Sequence, residues 1–279
     1  MSEKILVKKY SGEKEAFDPD KLHSSLQRAG ASERLIKDVE DALQKHLEDG
    51  VTTREIYSKA FQLLRKFQRS TAARYSLKKA IMELGPSGYP FEKFVGAVLE
   101  SLGYEIEVGK MVQGQCIQHE VDVIAQNDHQ KFVVECKYYN SQGKYCNVKV
   151  PLYIHSRFND IEKRWQSSPR KENKSFHGWV VTNTRFTKDA MDYGKCVGLR
   201  MVSWDYPKGE GLKDMVEQTG LFPITVLTLL NRKQKEQLLE KGIVLCRQLL
   251  QKKGILDTLG LPGNKHKKVI EELEQIVQD

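Results

Sequence analysis

Six residues, Gly85-Pro86-Ser87-Gly88-Tyr89-Pro90, constrain this chain more than any other stretch of it. Two prolines withdraw backbone donors and two glycines favour turns, so a helix arriving here has to stop. The hydrophobic period also changes across the break, from a helical repeat before it to strand alternation after it. At 279 residues the chain is long enough for separate cores on either side.

Upstream, Ile5-Leu6-Val7 and Glu15-Ala16-Phe17 flank Ser11-Gly12 and predict a short hairpin. Asp18 before Pro19 is a helix start, because a carboxylate accepts orphan amide protons and proline suits the first helical position. Leu22, Leu26 and Ala29 then share a face. A second helix from Ser32 aligns Leu35, Val39, Leu43 and Leu47. A third starts at the capping box Thr52 to Glu55 and turns Ile56, Ala60, Leu63 and Phe67 inward. A fourth spans Thr71 to Leu84.

Downstream, a helix over Phe91 to Leu102 precedes a strand over Tyr104 to Val108. Val121 to Ala125 and Phe132 to Lys137, joined by a polar loop, predict an antiparallel pair. Helix (Val150 to Trp165), strand (Gly178 to Thr182), helix (Thr187 to Val197) and strand (Leu199 to Trp204) follow, which implies a mixed sheet with helices on both faces. From about Leu221 the pattern is helical again, and Gly260-Leu261-Pro262-Gly263 feeds a lysine-rich final helix.

Composition narrows the function classes. No apolar run approaches the ~20 residues of a membrane span, and the amino terminus lacks a secretory pattern, so a cytoplasmic protein is expected. Five widely spaced cysteines without a C-x-x-C pair argue against a disulfide framework and a zinc knuckle. Forty-five basic against 37 acidic residues give a net charge of +8, which favours an anionic partner. A local excess runs from Lys144 to Lys174 and includes Arg157, Arg164, Arg170 and Lys171.

The chemistry-bearing residues lie on the predicted strand pair. Glu135 and Lys137 are two apart and share a face, and a hairpin brings Asp122 alongside them. Charges in an apolar strand are costly unless paired or metal-bound. Two carboxylates plus the Cys136 backbone carbonyl suit Mg²⁺ or Mn²⁺, and such an ion activates water and neutralises charge building on a phosphate. Glu120 has the parity of Asp122 and could add a ligand. The alternative is a set of solvated edge carboxylates with Lys137 as salt-bridge partner. Lys149, Tyr153 and Arg157 recur every four residues, so one helical face could contact phosphates. His155 and His177 have no partner at ligand spacing and read as structural.

The order Phe91-Glu92, Leu102-Gly103-Tyr104, Asp122-Val123-Ile124-Ala125 and Val134-Glu135-Cys136-Lys137 resembles the Mrr-like branch of the PD-(D/E)xK nuclease superfamily, over roughly residues 86 to 205. The resemblance implies Asp122 and Glu135 as metal ligands, Lys137 as catalytic lysine and Glu92 as a helix-borne acid completing the site. Many Mrr-like sequences carry glutamine at the position of Glu135, whereas this chain has the acid of the wider superfamily.

A second resemblance rests on Val7-Lys8-Lys9-Tyr10-Ser11-Gly12, Glu15 to Leu22, Thr53-x-Glu55-Ile56 and Arg74-Tyr75. These look like an ATP-cone, the regulatory domain of ribonucleotide reductases and their repressors. The resemblance implies a hairpin lid over a helical bundle that binds ATP or dATP. Val7 and Lys9 would approach base and phosphate, Lys21 the phosphates, and Glu15 and Asp18 the base or sugar. Thr53 would form the pocket floor, and Lys78 or Lys79 would meet the phosphate tail. Tyr10-Ser11-Gly12 stands where the family often has Arg-Asp-Gly. The carboxy-terminal Leu-Gly-Leu-Pro-Gly distantly resembles a helix-hairpin-helix turn, but the expectation is a plain helical bundle that packs on the nuclease core or mediates self-association.

Together these readings predict a multidomain chain: an α-helical ATP-cone with a small hairpin (1–85), an α/β restriction-endonuclease-like mixed sheet (86–216) and a small all-α domain (217–279). The expected function is a metal-dependent DNA endonuclease regulated by an adenine nucleotide, active as a homo-oligomer, with no membrane partner. The competing classes are a catalytically inactive, nucleotide-responsive DNA-binding protein and a nucleotide-sensing oligomeric scaffold.

Overall fold

Asp18 performs the expected capping: its carboxylate accepts from the amides of Asp20 and Lys21 at 3.1 and 3.3 Å. A cap of this kind contributes about 1 kcal/mol. It launches α1 (Pro19–Arg28), which follows the antiparallel hairpin β1 (Leu6–Lys8) and β2 (Lys14–Ala16). The structure, a computed structural model, describes residues 5–9, 12–141, 143–167 and 174–277. Tyr10 and Ser11 of the hairpin turn, and Arg170, Lys171 and Glu172 of the basic stretch, lie outside the described residues.

Ser32 caps α2 (Glu33–Gln44), and the Thr52–Glu55 capping box opens α3 (Thr53–Phe67). Leu26, Ile36, Val39, Ala60 and Leu64 form the centre of the amino-terminal core. The helical repeat carries the buried face of α3 to Leu64. Leu63 is therefore only half-buried, and Phe67, expected inward, is 55% exposed. The fourth helix is not continuous either. It divides into α4 (Arg69–Tyr75) and α5 (Leu77–Met82) at Ser76, whose hydroxyl donates to the Ala73 carbonyl at 2.8 Å. A buried serine that bonds its own backbone competes with helix propagation.

The next helix, α6 (Tyr89–Ser101), begins two residues before the expected start, with Pro90 inside its first turn, where proline costs no hydrogen bond. Three strands then meander: β3 (Glu105–Gln113), β4 (Gln118–Gln126) and β5 (Gln130–Lys137), each antiparallel to the last. After the short β6 (Tyr145–Cys146), α7 (Lys149–Gln166) crosses over to β7 (Ser175–Thr182), which pairs with β5 in parallel. The two-residue β8 (Arg185–Phe186) pairs with β6, and α8 (Lys188–Cys196) crosses over to β9 (Arg200–Val202). The result is a five-stranded mixed sheet in the order β3-β4-β5-β7-β9. Parallel neighbours require such helical crossovers.

Helices cover both faces of the sheet. Gly96 lets α6 approach Ile106, Val108 and Val123, since a β-carbon there would sit 3.0 Å from Val108. Residues of the opposite parity, Ile124, Val133 and Val180, form a core with Ile154 and Phe158 of α7.

Asp160 on α7 fastens the β3–β4 turn. Its carboxylate accepts from the Cys116 amide at 2.9 Å and lies 2.8 Å from His119 Nε2. These bonds, led by His119, hold the Asp160 carboxyl down at about 2. A depressed carboxyl stabilises the fold above its ordinary value, and that contribution is lost as pH falls through the folded value. The Tm advantage of the native protein over Asp160→Asn is therefore expected at neutral pH and should shrink between about pH 4 and about pH 2. Parallel thermal melts of the two proteins measure it.

After α9 (Leu212–Thr219) come α10 (Arg232–Glu240), α11 (Cys246–Gln251) and α12 (Gly263–Val277). The chain resolves into two compact units: Met1–Ala80 with Val226–Gln237 and Cys246–Asp279, and Ile81–Thr225 with Leu238–Leu245. The expected carboxy-terminal segment thus contributes to both. Its last helix, α12, packs on α4 and α11. Among the described residues no helix is long and apolar enough to cross a membrane.

Candidate active site

The ladder between β4 and β5 ends at the pair Val123 and Val134, one residue before Asp122 and Glu135. Beyond that pair Asp122 replaces a backbone partner with its own carboxylate: its Oδ2 accepts the Cys136 amide proton at 2.7 Å. Glu135 and Lys137 share the parity of Val133, so they emerge on the face that α7 covers, whereas β4 breaks its alternation beside Asp122: Val121 and Ile124, three residues apart, both join the core under α7. The side chain of Glu135 is only 7% exposed. Its Oε1 accepts from Lys137 Nζ at 3.2 Å and its Oε2 from Arg157 Nη1 at 2.9 Å.

Arg157 is the residue that sequence reasoning placed differently. On the helical face proposed to contact phosphates, Lys149 and Tyr153 are exposed. Arg157 is instead tucked in, bonded to Glu135 and to the Glu120 carbonyl, with its guanidinium 5.7 Å from the Tyr153 ring centroid. The sequence signal was present in the acidic strand pair, which demands a buried cation. Which cation answers it depends on how α7 crosses the sheet.

Glu92, in the first turn of α6, is half-buried. Burial, followed by repulsion from Asp122, Glu120 and Glu135, pushes its carboxyl up to about 7. Asp122 is pushed up to about 6 by burial and by Glu135, against the Cys136 amide, Arg157 and Lys137. The structure therefore brings Glu92, Glu120, Asp122, Glu135 and Lys137 into one electrostatic neighbourhood. The Cys136 thiol is buried, and that burial, followed by the charges of Asp122, Glu92 and Glu135, pushes it well above its ordinary value.

Hard oxygen donors whose carboxyls are held above their ordinary values are what a divalent cation relieves, and in that respect Glu92 and Asp122 fit Mg²⁺ or Mn²⁺. Among the described residues, however, no three acidic, histidine or cysteine side chains are gathered as a ready-made cage. Polar groups fix the strand that carries the site. Thr182 donates to the Lys137 carbonyl at 2.7 Å, and Asn183 accepts the Tyr139 amide and donates to its carbonyl. His155 bonds Tyr193 and Asn159, in keeping with a structural role.

In the amino-terminal module, Val7 is buried in the core, while Lys9 pairs with Glu15 at 2.7 Å and Lys21 with Asp18 at 3.5 Å. The Lys8 amide bonds the Val51 carbonyl, which brings the hairpin to the start of α3, where Thr53 is exposed. Lys78 is exposed on α5.

Comparison with known proteins agrees with this order. Residues 5–82 match the ATP cone domain, 85–152 the family described as restriction endonuclease, and 222–277 that described as AF1548-like, C-terminal. An uncharacterized protein of Archaeoglobus fulgidus is 33% identical over 181 residues, 64% of this chain and 98% of the relative. The crystal structure of AF1548, a protein of unknown function, is 32% identical with a TM-score of 0.55, covering 69% of this chain and 99% of that one. The MspJI restriction endonuclease bound to a 27-mer oligonucleotide is 12% identical with a TM-score of 0.31, covering 53% of this chain and 31% of that one. The expected succession of ATP cone, mixed-sheet nuclease-like region and helical region is therefore present.

Proposed function

This chain belongs to the AF1548-like family, and with the restriction endonuclease match over residues 85–152 as support we propose that it is a metal-dependent DNA endonuclease whose ATP cone binds ATP or dATP and regulates cleavage. One observation carries the reading: Glu92 and Asp122 each feel the charge of Glu135 and of Lys137, and with burial their carboxyls are raised to about 7 and about 6. Asp122, Glu135 and the Cys136 carbonyl would hold Mg²⁺ or Mn²⁺, with Glu120 as a further donor. When bound, the ion would lower the pKa of water and neutralise charge on the scissile phosphate.

The protein's own groups do the rest. Lys137, whose side chain is 42% exposed, can reach a substrate phosphate or orient the attacking water. Glu92 can hold or release a proton near neutrality. Arg157 neutralises Glu135 until substrate and ion arrive. The domains would be 1–85, 86–216 and 217–279, with Lys9, Glu15, Asp18, Lys21, Thr53 and Lys78 serving the nucleotide and Val7 shaping its pocket. The working form would be a cytoplasmic homo-oligomer. Regulation requires the nucleotide to bind two states with different affinity.

DNA binding without cleavage is a second reading, favoured by the engagement of both Glu135 oxygens by cations. Supercoiled, linear and branched DNA incubated with native protein or Glu135→Ala, with Mg²⁺ or Mn²⁺ and with or without ATP, separates the two. Nicking by the native protein alone is expected. Equal products from both proteins would reject the site, and a rate and oligomer distribution indifferent to ATP and dATP would reject the regulation.

A further inference from the structure

Between the end of α3 and the start of α4 the backbone turns out of helical geometry at Gln68 (φ −149°, ψ 107°), and α12 lies across the joint. The cleft so formed has a volume of about 650 Å³, within the range of small-ligand sites. It belongs wholly to the unit that contains the amino-terminal helices and α12. Its walls carry Arg65, Lys66 and Arg69 from the joint and Lys268 from α12.

All four cations are exposed, and among the described residues none has a carboxylate within salt-bridge distance. Two glutamates also line the cleft, but Glu272 is spent: buried to 2% exposure, it accepts from the Thr228 amide and hydroxyl and from the Leu229 amide. Four like charges around one concavity, opposed by Glu271 alone, make a field that draws an anion. Phe67 adds a second character. It lines the same cleft and is 55% exposed, a large aromatic ring left in solvent at the last position of α3. An aromatic face beside unpaired guanidinium groups suits a base next to its phosphate, and Gln68 and Gln275 supply amide groups to the edge of such a base.

The geometry points to a nucleotide-binding site at the α3–α4 joint and α12, taking a phosphate-bearing unit with its base against Phe67, either a free nucleotide or the phosphorylated end of a single DNA strand. It is separate from the expected ATP-cone pocket, because Thr53 and the hairpin stand at the opposite end of α3. A helix of 15 residues places the two about 22 Å apart. The inference depends neither on cleavage nor on the acidic site.

Equilibrium binding by the full-length chain tests it, with ATP, a 5′-phosphorylated single-stranded oligonucleotide and inorganic pyrophosphate as probes. Arg65→Glu/Arg69→Glu should bind one fewer probe per chain, or bind it at least about tenfold more weakly, with unchanged far-ultraviolet circular dichroism. Phe67→Ala should weaken base-bearing probes about fivefold or more and leave pyrophosphate unaffected. Lys9→Ala/Lys21→Ala, altered at the cone, should retain this site. Loss confined to ATP identifies a free nucleotide, and loss confined to the oligonucleotide identifies a strand end. Undiminished binding of both by the double variant overturns the site. Weakening of pyrophosphate by the double variant, with no effect of Phe67→Ala on any probe, overturns the assignment to a nucleotide.

Discussion

Changing Asp122 to asparagine should abolish cleavage, by about a thousandfold or more, and at the same time raise the Tm of the metal-free protein. The two effects have one cause. In the metal-free site the Asp122 carboxyl is half-buried beside Glu135 and is pushed up to about 6. At pH 8 it is ionised against that tendency, which costs the folded state on the order of 1 kcal/mol or more. Asparagine keeps an oxygen to accept the Cys136 amide proton, now held at 2.7 Å, while discarding the charge. Relief of about 1 kcal/mol corresponds to a gain of about 2 to 4 °C for a unit of this size. Mg²⁺ should raise the Tm of the native protein and leave that of Asp122→Asn nearly unchanged. Melting curves at pH 8 in EDTA and in Mg²⁺, run beside a nicking assay, read all of this together. A variant that cleaves normally would sink the assignment of Asp122. One that melts lower in EDTA would show that the carboxylate stabilises the fold through its hydrogen bond more than it strains it.

Glu272→Ala should be the most damaging change to the helical unit, lowering its stability by about 3 kcal/mol. Glu272 is a charged residue on the buried face of α12, beside Val269, Leu273 and Ile276. It is tolerated there because two amides and a hydroxyl donate to it, at 2.8 Å from the Thr228 amide, 2.6 Å from its hydroxyl and 3.3 Å from the Leu229 amide. Truncation leaves those donors without an acceptor and opens a void beside them. Glu272→Gln keeps part of the bonding and should fall between the two. Urea titration followed by circular dichroism gives the order, and a Glu272→Ala protein as stable as the native one would refute this account.

Some of the local arrangement could be read along the chain. Parity alone put Asp122, Glu135 and Lys137 on one face of a strand pair, whereas the ladder between β4 and β5 ends at Val123 and Val134, one residue short of Asp122 and Glu135. Caps at Asp18, Ser32 and Thr52 marked their helices correctly, because a cap acts within one turn of itself. The errors lie where a local rule met a distant constraint. Phe67 continued an apolar repeat and was expected inside, yet it lines a cleft completed by α12, about 200 residues further on. The helix expected to run unbroken to Leu84 stops at Ser76, whose buried hydroxyl finds a backbone acceptor.

Arg157 shows the division most clearly. Its spacing from Lys149 and Tyr153 assigned it to a helical face, and the residue does lie in α7 as expected. Only the crossing of α7 over the sheet decides that its guanidinium reaches Glu135, 22 residues back. The same holds for Asp160 with His119, 41 residues apart, and for Glu272 with Thr228, 44 apart. The sequence by itself determined the elements, their caps and the side chains that share a strand face, because those follow from interactions among residues a few positions apart. The tertiary structure alone decided which cation neutralises the acidic cluster and which cations find no carboxylate among the described residues around the α12 cleft, because an ion pair forms between side chains that packing, and not sequence proximity, brings within reach.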